Sequence, residues 1–576
     1  MCATITLEDR RRRARSAARA AFWLAGTLAV LLGSGQARAQ SGSDVFTDAN
    51  RNAAEAIDAR GLREVIAEIA SDRYGGRAPG SEGDEMTQAY LARALEEIGF
   101  EPGGADGSWL QPFDLVGITA MQPPTWTFSR GGETLELSQG DEFIVASGVQ
   151  SEHAEVDGAE IVFVGYGIQA PEYDWDDFKD ADLEGKVLLI LNNDPDWDPE
   201  LFAGRERLYY GRWTYKYESA ARQGAAGAII IHTTPSAGYP WQVVQTSWTG
   251  TQYELPAGDE PRMQIEAWIT EPSAERLAAL GGFDLAELVE RAKQRDFEPV
   301  PLGVTTSIAL ENTLERTSSA NVLGVLRGSG PELADEYVIY TAHHDHLGRA
   351  MDAEEGGDTI YNGARDNASG VAMLLEIGQA FAAMPEPPRR SIMLLFVGAE
   401  EQGLLGSEYF ALHPTVPPGR IAANVNYDSG NIWGKTSDIT FVGLGKSTLD
   451  AVARQVADFQ GREVKPDEFI DRGYYYRSDQ FNFAKIGVPA FYFDPGTDFV
   501  GRPEGWGVER VEEYTNEHYH QPSDELTDEW SFEGMVQDAR FGFWAGLVVA
   551  NADEMPRWNP GDEFEAARKR ALDALE

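Results

Sequence analysis

Residues 341–348 read TAHHDHLG and set His343, His344 and His346 around Asp345, in a chain with eight histidines among 576 residues. Imidazole and carboxylate groups at this spacing can hold a metal ion or move protons. In extended backbone successive side chains alternate faces, so His343 shares a side with Asp345, and His344 shares the other with His346. A metal-binding histidine commonly gives its second ring N–H to a carboxylate, and Asp345 is placed to serve His343 in that way. The rival pair, an H-x-H motif of His344 and His346, needs further histidines downstream, where His413, His518 and His520 remain.

Other segments supply carboxylates. GARDNASG sets Asp366 in a glycine-flanked turn before an apolar helix, where either Asp366 or Asn367 caps that helix or the Asp366 carboxylate emerges at a sheet edge beside His343. LLFVGAEEQGLLGS ends an apolar run in Glu400 and Glu401, a costly arrangement unless a cation neutralises the pair or one stays protonated. AANVNYDSGN places Asp428 at another strand end, and NEHYHQPSDE adds His518 and His520 before a proline turn. Open α/β sheets bind ligands at such strand ends, which gathers two histidines and three acidic residues in one place. Imidazole and carboxylate ligation without thiolate suits Zn2+, with Mn2+ or Co2+ where carboxylates dominate. Five ligands exceed the three of one catalytic zinc. Two ions sharing a carboxylate account for all five and leave one glutamate as a general base. G-x-S-x-G, Walker A, G-x-G-x-x-G and H-E-x-x-H patterns are absent.

These residues need a scaffold that brings strand ends together. From about 318 onward, apolar runs such as YVIYTAH, SIMLLFVGAEE and VPAFYFD alternate with helical patterns such as ASGVAMLLEIGQAFAAM. Continuous apolar strands of this kind predict an α/β fold, a mixed, mostly parallel sheet sandwiched by helices. Residues 45–135 carry two amphipathic helical patterns and read as the N-terminal part of the same domain. Residues 136–295 change texture to short β runs, AEIVFVGYG, KVLLILNN and GAAGAIIIHT, with one helical pattern, WTYKYESAARQG, and read as an inserted β-rich domain. Residues 296–576 then hold the main part of the catalytic unit.

The formal charge of -46, from 94 acidic and 48 basic residues, argues against nucleic-acid partners and against docking on anionic membranes. At the N-terminus, RRRRAR, AAFWLAGTLAVLLG and ARA predict a signal peptide over 1–39, hence export to the periplasm or beyond the cell and no membrane anchor after cleavage. Cys2, the only cysteine, leaves with that signal. Disulfides, thiolate zinc sites and cysteine nucleophiles are thereby excluded from the mature chain.

The ordered motifs AHHDH, GARDNASG, GAEEQGLLGS, NYDSG, RSDQFNFAKIGVPAFYF and YHQPSDE resemble peptidase family M28, the co-catalytic zinc peptidases, over roughly 318–550. The resemblance implies two zinc ions and peptide substrates. His343 and Asp428 would serve one ion, Glu401 and His520 the other, and Asp366 would bridge them. Glu400 would be the general base that takes a proton from water and delivers it to the leaving amine, with Asp345 orienting His343. A cis peptide after Asp366 is also implied. Tyr519, beside His520, is a candidate oxyanion donor. His344, His346 and His518 match no ligand position and read as solvated or lying behind the ligands. The inserted segment resembles a protease-associated (PA) domain. The family's commonest behaviour is release of N-terminal residues; carboxypeptidase or dipeptidase action, single-zinc glutaminyl-cyclase chemistry and a non-catalytic receptor role are the alternatives. The aromatic stretches at 209–218 and 472–481 fit either a core or a substrate cleft, and the glycine-rich loop before His520 fits a lid.

Overall fold

The computed structural model describes residues 45–199, 201–350 and 357–575. The expected signal peptide and Cys2 lie outside the described residues. Among those described, no helix is long and apolar enough to cross a membrane.

Four parallel strands form the centre of the sheet, in the spatial order Ser391–Val397, Tyr337–His343, Ile421–Asn426 and Ala490–Pro495. The strand Val300–Leu326 closes one side antiparallel to Ser391–Val397. On the other side Asp438–Val442 runs antiparallel to Ala490–Pro495 and pairs in parallel with Glu463–Pro466. Alternation along these runs feeds two cores. Val338, Tyr340, Ile392, Leu394 and Phe396 pack under the helices Ala59–Ile69, Glu82–Ile98, Ser369–Ala382 and Phe532–Asn551. Ile339, Met393, Leu395 and Val397 pack against Phe410 and Phe483 of the opposite layer. Burial on both faces is why the strands read as unbroken apolar sequence. The α/β expectation thus holds, with parallel pairing concentrated in the strands that carry the chemistry.

Two long antiparallel strands, Leu110–Met121 and Val300–Leu326, leave the central sheet together. The first half of Val300–Leu326 then pairs with His153–Phe163. His153–Phe163, Val187–Leu191, Gly227–His232 and Ile265–Thr270 make a second set of parallel strands, flanked by Phe143–Ser147. A separate hydrophobic cluster from Trp126 to Leu310 fills this region. Besides Trp213–Arg222, it carries the helices Thr234–Ala237, Trp241–Ser247, Glu271–Leu280 and Leu285–Ala292, which the β texture of the sequence concealed. Their local signals are short: Pro272 in the first turn of one, and an Asp284 side chain capping the Glu287 amide of another. The segment read as a loop before His520 likewise contains the helix Trp506–Glu517.

Two buried tyrosines tie the chemistry-bearing strands to the helix Phe532–Asn551. Tyr340 donates to the Gly542 carbonyl at 2.9 Å and Tyr427 to the Asp538 carbonyl at 2.8 Å. Glycine at 546 is required by this approach, because an added Cβ would run into the Tyr340 hydroxyl. Gly546→Ala is therefore expected to lower stability by about 1–3 kcal/mol through overpacking. A urea midpoint unchanged from the parent chain would contradict this packing argument.

Candidate metal centre

His343 is the last residue of its strand, and Asp428, Glu400 and Glu401 lie just beyond the ends of neighbouring ones. Parallel pairing puts all these ends on one edge of the sheet. His343 Nε2 stands 3.0 Å from Asp428 Oδ1, 3.2 Å from Asp366 Oδ1 and 3.8 Å from Glu400 Oε2. Asp366 arrives from a turn with a cis peptide to Asn367, immediately before the helix Ser369–Ala382. Of the two cap candidates Asn367 takes that role, its side chain accepting the Gly370 amide at 2.9 Å, while the Asp366 carboxylate faces the histidines.

On the other side of Asp366, His520 Nε2 lies 2.9 Å from Glu401 Oε2 and 3.4 Å from Asp366 Oδ2. His346 joins this subsite. Its Nδ1 is 2.6 Å from Glu401 Oε1, and its ring meets that of His520 edge-on at 5.7 Å. Parity along TAHHDHLG did not anticipate His346, because the strand ends at His343 and the following residues turn away from it. His344 instead pairs with Asp84 at 3.0 Å, fully buried. His344 and His346 are thus both buried, neither being solvated; His518 sits outside the cluster, against Ser523.

Asp345 does more than face His343. At 3.7 Å from His343 Nδ1 it is beyond hydrogen-bond length, but its two oxygens accept the Glu400 and Glu401 amides at 3.0 and 3.3 Å. It therefore positions both glutamates through the backbone. Three further positioning residues were not legible. Asp524, within the quoted NEHYHQPSDE, accepts the Arg365 and Asp366 amides. Arg77 is fully buried and donates to the carbonyls of His344, Asn362 and Gly363, bracing both loops. Ser247, from the inserted region, hydrogen-bonds His520 Nδ1 at 2.8 Å across 273 residues.

The electrostatics report crowding of negative charge. Burial pushes Glu400 well above the usual carboxylate range, and Asp428 and Glu401 beside it add to the rise. Burial works against charge on Glu401 too, yet His520 and His346 hold it down at about 2. Burial would lower His520, but Glu401 and Asp366 lift it to about 10. His343 is raised well above its ordinary value against its own burial, by Glu400, Asp345, Asp366 and Asp428. Imidazoles driven to carry charge in this way occupy a place suited to metal cations. Ligand atoms of His343, Asp366 and Asp428 lie within 4.8 Å of one another, as do those of His346, Asp366 and Glu401. His343 Nδ1, His346 Nε2 and His520 Nε2 are buried without a hydrogen-bond partner among the described residues. The residues fit divalent cations, and a nitrogen and oxygen donor set suits zinc. Tyr519 stacks on His520, ring centroids 3.9 Å apart, and lines the cavity over Asp366, Glu400 and Asp428.

A parallel-stranded α/β sheet thus brings imidazoles and carboxylates together at its edge in an arrangement that could hold metal ions. Residues 321–539 match the model of Peptidase family M28. Over 121 residues the chain is 37% identical to the aminopeptidase NAALADL1 of Mus musculus, covering 20% of this chain and 14% of that protein. It is 27% identical over 240 residues to the aminopeptidase YwaD of Bacillus subtilis, 41% of this chain and 45% of the relative. The chain thus spans less than half the length of either relative. The aminopeptidase from Aneurinibacillus sp. strain AM-1 shares the fold, with a TM-score of 0.51 at 19% identity over 88% of this chain and 97% of that one.

His346 and His344 are now distinguishable by experiment. His346→Ala removes the side chain that holds Glu401 and is expected to weaken zinc retention about 10- to 100-fold, whereas His344→Ala should not. Equal zinc retention in the two variants, measured by competition with a chromogenic chelator, would refute the assignment of His346 to this subsite.

Proposed function

We propose that the chain is a two-zinc peptidase that hydrolyses peptide bonds, releasing N-terminal residues, and that it works after export in the periplasm or outside the cell. One observation carries this reading: His343, Asp366, Asp428, Glu401 and His520 converge while Glu400 stands beside them, 3.8 Å from His343. In this reading His343 and Asp428 hold one ion, Glu401 and His520 the other, and Asp366 both. Bound zinc supplies Lewis acidity that can bring the pKa of water from about 15.7 to near 7. Glu400 takes the proton of the attacking water and passes it to the leaving amine. Its buried position supports both steps, since burial raises its pKa toward the range where a carboxyl group can accept a proton and give it back. Tyr519, pushed well above its ordinary value by burial, keeps its hydroxyl proton and can donate to the developing oxyanion. The segment 136–295 we read as a PA-like module between the two parts of the catalytic domain, 45–135 and 296–576.

Peptide-library digestion followed by mass spectrometry, with and without chelator, tests the activity and its direction. Trimming from the N-terminus that stops on chelation is expected; intact peptides in both arms would end the peptidase reading. Glu400→Gln should lower kcat by about 10²- to 10⁴-fold while two zinc ions per chain remain bound. Loss of both ions in that variant, read by plasma mass spectrometry, would overturn the division between Glu400 and Glu401.

A further inference from the structure

The two aromatic stretches meet beside the metal centre, and they bring arginines with them. The Arg207 amide donates to the Ile470 carbonyl at 2.9 Å, and the Arg207 side chain packs on Gly473. Arg212 precedes the helix Trp213–Arg222, and Arg477 follows the turn Tyr474–Tyr476. The Arg477 guanidinium lies 5.2 Å from the rings of both Tyr239 and Tyr474. Burial, with Arg477 and Arg207 nearby, lowers Arg212 to about 10. Like charges have been gathered here at a cost.

Ordinary structural arginines would be neutralised, and these are not. Among the described residues no carboxylate lies within 4.0 Å of Arg207, Arg212 or Arg477. Arg207 Nε and Nη2, Arg212 Nε and Arg477 Nη1 are buried donors without a partner. Arg212 and Arg477 line a cavity of about 280 Å³ with Tyr239, Tyr519, His520 and Glu401. Its other acidic groups are engaged or disfavoured as anions. Glu218 accepts from Tyr209 at 2.6 Å, Glu254 pairs with Arg262 at 2.7 Å, and burial pushes Glu266 up to about 8 and raises Glu400 and Glu408 as well. In a chain of net charge -46, two cationic side chains with free donors beside the reactive centre require a purpose.

We propose that Arg212 and Arg477 form an anion subsite that receives a carboxylate of the bound peptide. The proposal rests on the peptidase reading for the identity of its ligand, and it adds a substrate class. Two sources of that carboxylate are chemically equivalent at a guanidinium: the C-terminus of a short peptide and the side chain of an acidic residue.

Calorimetric titration of the zinc-loaded Glu400→Gln variant with paired tripeptides separates the sources. Ala-Ala-Ala is compared as free acid and as amide, and Glu-Ala-Ala and Ala-Glu-Ala amides are compared with their Gln counterparts. At least one carboxylate-bearing member should bind about tenfold or more tightly than its neutral partner. Adding Arg212→Gln should abolish that difference, and Arg212→Lys should keep part of it, with melting curves of both variants checking the fold. Equal affinity within every pair, or a preference that survives Arg212→Gln, would overturn the subsite. Hydrolysis by the wild-type chain is scored separately, so its absence would remove the peptidase reading without deciding this comparison.

Discussion

Five carboxylates, of Asp345, Asp366, Glu400, Glu401 and Asp428, crowd around His343, His346 and His520 in a largely buried space. Two like charges 4 Å apart repel by roughly 4 kcal/mol at the effective dielectric of a protein, so this assembly stands only if positive charge and oriented N–H groups surround it. The chain supplies part of that from its own backbone. Amides of Glu400 and Glu401 point at Asp345, amides of Arg365 and Asp366 point at Asp524, and fully buried Arg77 ties the loops that carry His344 and Gly363. The remainder is positive charge of the kind that divalent cations would provide at these residues. The fold follows from the same demand, because parallel strands are the arrangement in which several chain segments end at one edge and can each deliver one charged group there.

The helix side of the molecule fixes how accurately those ends line up. Tyr340 lies three residues before His343, and Tyr427 directly precedes Asp428; both donate to carbonyls of the helix Phe532–Asn551. Two neighbouring members of the donor cluster, His343 and Asp428, are thereby referenced to one helix. A shift of either strand would break a buried hydrogen bond as well as displace a member of the donor cluster, so packing and site geometry are coupled through the tyrosines.

Much of this was legible because the strands are buried on both faces. SIMLLFV and YVIYTA could be nothing but interior sequence, and polar residues at the ends of such runs, His343, Glu400 and Asp428, stood out by contrast. Asp366 was legible as a site candidate by company, through the glycines around it and the apolar helix after it. What sequence could not give were partners distant along the chain. Arg77 is 267 residues from the His344 carbonyl it holds, and Ser247 is 273 residues from His520. His346, read as solvated or lying behind the ligands, stands behind Glu401, but alternation could not give that contact, because it is a rule about strands and the strand stops three residues earlier. The short helices of the inserted region escaped because runs such as LAELVERA are a single turn or two, flanked by β-type sequence.

Ser247 changes what the inserted region can be. A module that merely shaded the cleft would touch the substrate and leave the metal centre indifferent. Here the helix Trp241–Ser247 ends on the imidazole of His520, whose ring also stacks on Tyr519. A bond to Nδ1 selects which ring nitrogen would remain for a cation, so the inserted region takes part in setting the tautomer of His520. The same region contributes Arg212 to the cavity that Arg477 also lines. The two long strands that carry the chain out of the central sheet and back therefore do more than tolerate an insertion. They hold its inner surface in register with the strand ends, which is a mechanical requirement once a ligand and a cavity wall both depend on it.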